Sequence, residues 1–95
     1  MAKRKPERRR KADRLPLYEG QTYRVLQERL AESVLRLRKE KNLTQEEAAH
    51  RCEMSTRLYQ RSESEDANVT LATLARICDG FSVDVVELFR ARKRP

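Results

Sequence analysis

Residues 44–63, TQEEAAHRCEMSTRLYQRSE, constrain this chain more than any other stretch, because two helix starts are written into one short run. Thr44 followed by Glu47 has the spacing of a capping box, in which side chain and backbone satisfy each other's orphan donors. Ser55 offers a second N-cap. Between them Ala48, Ala49 and Cys52 form one narrow apolar face, whose small side chains let a neighbouring helix approach closely. From Ser55 the next helix turns Tyr59 inward, with Ser62 and Glu63 beside it, and leaves Thr56, Arg57, Gln60 and Arg61 on the outer face. The run therefore reads as two short helices joined by a tight turn.

Ninety-five residues form one domain around one modest core. Two glycines, three prolines and abundant Leu, Arg, Glu and Ala favour helix throughout, and no stretch reads as a strand. The formal charge of +7 is unevenly placed. Residues 1–14 hold eight Lys or Arg against Glu7 and Asp13, and residues 90–95 add Arg90, Arg92, Lys93 and Arg94. The stretch between is slightly acidic, so the basicity belongs to the two ends. Residues 1–16 carry Pro6 and Pro16 and few apolar groups, and are expected to be a disordered basic arm. The domain is expected over 17–91, and 92–95 as a basic tail.

Thr22 is the expected N-cap of a long first helix running to about Lys41, with Leu26, Leu30, Val34 and Leu37 on its apolar stripe and Asn42 ending it. Tyr23, Leu26 and Leu30 are expected to overhang the core, either toward a partner or back under the chain's own last helix. Leu43 plugs the core. After a polar loop, Thr70 caps a fourth helix with Leu71, Leu74, Ile77, Cys78 and Phe81 inward, and Asp84 caps a fifth carrying Val85, Leu88 and Phe89. Cys52 and Cys78 lack Cys-x-x-Cys spacing and read as buried reduced thiols. No run approaches the ~20 apolar residues of a membrane span, and no apolar leader follows the basic start. A soluble cytoplasmic protein without a membrane partner is expected.

Arg38, Leu43, Thr44, Gln45, Ala48, Ala49 and Glu63 resemble the signature of the lambda-repressor-like, or Xre-type, helix-turn-helix family over about residues 30–89. The chain departs from the family pattern at Glu53, where a turn glycine is usual, at Ser62, where an apolar residue is usual, and at Glu65 and Val69, which replace a loop glycine and proline. The resemblance implies an all-α, five-helix DNA-binding domain. It also implies that the fourth helix passes through Gly80, otherwise a natural stop, to Phe81, with Ser82 at the bend. It pairs Arg38 with Glu63 as a structural salt bridge, and the residues agree: an inward carboxylate needs a partner, and a guanidinium supplies two parallel bonds.

The second helix of the motif can enter a major groove at its N-terminal end. Arg57 and Arg61 can bridge guanine O6 and N7, Gln60 can bridge adenine N6 and N7, and Thr56 can bond a base edge or touch a thymine methyl. In the family the positions of Thr56, Arg57 and Arg61 face bases. Gln45 matches a residue that binds phosphate at a helix N-terminus, with Thr44 and Ser55 alongside and Arg8, Arg9 and Arg10 on the arm as further phosphate contacts. Leu58 sits at the groove edge or packs sideways. A homodimer on an inverted repeat of double-stranded DNA is the economical solution for so small a reader. Its expected surface is Phe81, Val85, Val86 and Phe89, with the Tyr23 face of the first helix as competitor.

His50 is isolated on an outer face, and the acids Glu46, Glu47 and Glu53 are explained by helix polarity. With no metal motif and no glycine-rich phosphate loop, neither a cofactor, a metal site nor an enzyme is expected. The expected function is a transcriptional repressor. The alternatives are an antitoxin that binds a toxin protein and regulates its own synthesis, and a non-specific nucleic-acid binder that works through its basic ends.

Overall fold

A computed structural model describes residues 20–91, so the basic arm with Arg8, Arg9 and Arg10, and the 92–95 tail, lie outside the described residues. Among the described residues there are five helices and no strand: α1 Gln21–Glu40, α2 Gln45–Arg51, α3 Thr56–Ser62, α4 Leu71–Phe81 and α5 Val85–Phe89. Leu30, Val34 and Leu37 of α1 form one wall of the core, closed by Ala48, Ala49, Cys52, Tyr59, Ile77, Phe81 and Leu88. The Tyr59 and Phe81 rings meet edge to face at its centre, with centroids 6.5 Å apart.

Three helices end in the same way, and none of the three ends uses glycine. Asn42, Glu53 and Ser82 each adopt φ 57°, the left-handed conformation that reverses the chain. At each end two backbone N–H groups reach back across the final turn. Leu43 N donates to Arg38 O and Asn42 N to Lys39 O, Met54 N to Ala49 O and Glu53 N to His50 O, Val83 N to Cys78 O and Ser82 N to Asp79 O. This is the Schellman arrangement, and the residue after each left-handed position (Leu43, Met54, Val83) packs its apolar side chain onto the core. Each helix stop thus also delivers a hydrophobic plug.

Several sequence expectations are corrected. The N-cap of α1 is Gly20, which makes no side-chain cap bond, so Thr22 lies inside the first turn. The other end of α1 is as expected to within a residue: the helix stops at Glu40 with Lys41 as its C-cap, and Asn42 is the left-handed residue that ends it. Leu71 is 83% exposed rather than inward, because the preceding loop supplies Val69 to the core and is tied down by Gln27 Nε2 donating to Ala67 O at 2.7 Å. Phe81 is only 2% exposed and belongs to the core of the monomer, so it forms no part of an outer dimer face. Of the α5 residues, Leu88 is fully buried, Phe89 half-buried and Val85 exposed. Cys78 is half-buried, whereas Cys52 is buried and burial pushes its thiol up to about 11; both are free.

The overhang of α1 is covered in part by α5. Arg29 Nη1 donates to Phe89 O at 3.2 Å, and the buried Ser33 Oγ donates to Glu87 O at 3.3 Å, which ties the last helix across the first. An open apolar cleft of about 120 Å³ remains beside Leu26, Leu30, Val69 and Phe89. On the far side α4 meets α2 at Gly80. A methyl group there would lie 2.5 Å from Cys52 Sγ, 2.8 Å from Cys52 Cα and 3.0 Å from Arg51 O. Only a residue without a side chain lets the two helices come this close.

Candidate nucleic-acid interface

The helix pair α2–α3 is built from its caps inward. Glu47 N donates to Thr44 Oγ1 at 3.0 Å, and Thr44 N donates to Glu47 Oε1 at 2.8 Å, which completes the capping box. Leu58 N donates to Ser55 Oγ at 3.0 Å at the start of α3. Both hydroxyls therefore accept from backbone and keep their own O–H to donate elsewhere. The turn between the helices holds Glu53 in the left-handed conformation, and its carbonyl accepts from Arg76 Nη1 of α4 at 2.9 Å. That brace was not legible in the sequence, since the partners stand 23 residues apart with no local pattern linking them.

Beneath α3 lies an ion pair with both side chains largely withdrawn from solvent, 16% exposed for Arg38 and 7% for Glu63. Arg38 Nε donates to Glu63 Oε2 at 2.6 Å and Nη2 to Oε1 at 3.2 Å, while Nη1 caps Leu43 O at 2.9 Å. One guanidinium thereby fastens α1 both to the end of α3 and to the segment entering α2. Burial alone would raise the Glu63 carboxyl, but the hydrogen bonds from Arg38 and Gln45, with the Arg38 charge, hold it below the usual carboxylate range. The hydrogen bond to Glu63 raises Arg38 in turn. The Tyr59 hydroxyl is buried nearby without a hydrogen-bond partner of good geometry among the described residues; burial and the adjacent Glu63 push its ionisation up, so it stays protonated.

The outer face of α3 carries Arg57, Gln60 and Arg61, all exposed, with Thr56 half-buried at its first turn rather than fully outward. Arg57 and Arg61 make no ion pair among the described residues. Leu58 is 37% exposed on the same helix. Gln45 occupies the junction: its Nε2 donates to Glu63 Oε1 at 2.9 Å, and its Oε1 accepts from Gln60 Nε2 at 3.1 Å. The sequence placed Gln45 and Gln60 separately, and nothing in their spacing announced this contact. Thr44, Gln45, Ser55, Arg57, Gln60 and Arg61 all lie on the α2–α3 pair, whereas Val85, Val86 and Phe89 lie on α5.

Among the described residues no group of His, Cys, Asp and Glu could hold a metal ion, and no helix is long and apolar enough to cross a membrane. Residues 34–88, more than half of the chain, match a family model described as helix-turn-helix. No curated protein and no solved structure matches the chain. The matched residues run from the second half of α1 into α5 and contain the ion pair, the capping box and the turn. The chain belongs to the Xre-type, lambda-repressor-like helix-turn-helix family of DNA-binding transcriptional regulators.

Proposed function

We propose that the protein is a repressor that binds an inverted repeat in double-stranded DNA as a homodimer and blocks transcription by occupying the site. The observation that carries this reading is the exposed row Arg57, Gln60 and Arg61 on a helix whose far side is clamped by Arg38 and Glu63. Two guanidiniums without carboxylate partners among the described residues can bond guanine O6 and N7, and Thr56 at the helix start can reach a neighbouring edge. Thr44, Ser55 and Gln45 stand at the two helix starts, where donors meet phosphate and set the register of the reading helix. Arg8, Arg9 and Arg10 add attraction that is independent of sequence.

One helix reads only a few base pairs, so two copies related by a two-fold axis lengthen the site to a pair of half-sites about one helical turn apart. Val85 and Val86, 45% and 55% exposed on α5, support pairing through that helix, with Phe89 at its edge. Selection of bound sequences from randomised duplex DNA tests the proposal. The native chain should enrich an inverted repeat that the Arg57→Ala, Arg61→Ala variant does not. Enrichment of the same repeat by both proteins would remove α3 from the account.

A further inference from the structure

We propose that Gln45 is a positioning residue that sets which face of the Gln60 amide meets the DNA, so that the largely withdrawn Arg38–Glu63 pair dictates a base preference at the surface. The proposal rests on the reading that α3 contacts base edges. It starts from one chemical asymmetry: an ionised carboxylate can only accept hydrogen bonds. Glu63 is held ionised by Arg38, so Gln45 must turn its Nε2 toward Glu63 Oε1, at 2.9 Å. The Gln45 oxygen is then left facing α3. Gln60 must answer with its own Nε2, which lies 3.1 Å away.

The polarity of three consecutive groups is thus fixed from the inside outward. A free surface glutamine can rotate its amide by half a turn at little cost and offer either end to a base. Gln60 cannot do so without losing the bond to Gln45. Its Oε1 has no hydrogen-bond partner among the described residues and is presented as an acceptor, with the second N–H of the amide beside it. In the major groove an acceptor matches the exocyclic amino groups of adenine and cytosine and opposes guanine O6 and thymine O4. The remaining N–H can add adenine N7. Gln60 therefore selects adenine or cytosine at its position, and the selection depends on Gln45.

Randomised-duplex selections with the full-length native chain, Gln60→Ala, Gln45→Ala and the double variant test this. The native chain should favour adenine or cytosine at one position of each half-site by roughly tenfold. Each single variant should lose that preference while keeping those at the other positions, and the double variant should lose no more than either single one, as expected of residues acting through one contact. Unchanged melting temperatures would show that the loss is not one of folding, since the Arg38–Glu63 pair is intact in all four proteins. If Gln45→Ala weakens every sequence equally and leaves the preference in place, Gln45 acts on phosphate alone and the relay is wrong. If the native chain enriches no sequence, the underlying reading fails and the relay's role fails with it.

Discussion

Glu53 sits at φ 57° in the turn between α2 and α3, where its Cβ is crowded against the following carbonyl. The Schellman bonds and the Arg76 brace hold it there, so the fold tolerates the local cost. Replacing Glu53 with Gly should stabilise the domain by about 0.5–1 kcal/mol, measured by denaturant unfolding, because relief of strain exceeds the extra entropy of the unfolded glycine. Glu63 gives the opposite kind of prediction. Its carboxyl is held below its ordinary value of 4.5, so the stabilisation is fully present above about pH 4.5 and is lost as pH falls through the lower folded value. Melting temperature should therefore drop on acidification below that point, and Glu63→Gln should flatten this acid limb. Glu63→Ala at neutral pH should cost about 3 kcal/mol, since it strands the withdrawn Arg38 guanidinium.

Gly80 lies inside α4, where alanine would ordinarily favour the helix by about 1 kcal/mol. Two of the three atoms its methyl would strike belong to the backbone of Arg51 and Cys52, which cannot rotate away. Overpacking should win, and Gly80→Ala should destabilise the domain by about 1–2 kcal/mol in thermal or denaturant melts. The same elements show what the sequence could and could not reveal. The capping box at Thr44 and the inward stripe of α1 are local patterns, so both were legible. Leu71 misled because it continues the spacing of Leu74 and Ile77, while the choice of Val69 as the core residue depends on a loop tied to Gln27, far away in the chain. Phe81 was assigned two places, the inward face of α4 and the dimer surface, and its burial against Tyr59 bears out the first and excludes the second. Of the candidate interface, the exposure of Arg57, Gln60 and Arg61 was legible from their helical phase, whereas Thr56 proved half-buried. The Gln45–Gln60 contact was not legible, because it is made by two side chains on different helices.

Over the whole molecule the charge is divided between a slightly acidic domain and basic ends. In the proposed function these parts have separate tasks, with α3 supplying preference and residues 1–14 supplying attraction. Removing residues 1–14 should weaken binding to all duplexes alike and make the dependence of log affinity on log salt shallower by about 2–3, the release expected for three lost phosphate contacts. A shift in base preference on that deletion would mean that the arm reads a groove. Sequence readout by α3 is measured by the ratio of affinities for the selected repeat and for a scrambled duplex of the same length. It is measured at one fixed salt concentration with the full chain and with the Arg57→Ala, Arg61→Ala variant. The ratio should be about a thousand or more for the native protein and should collapse toward one in the variant. A native ratio near one, or a variant ratio equal to the native, would contradict readout by α3.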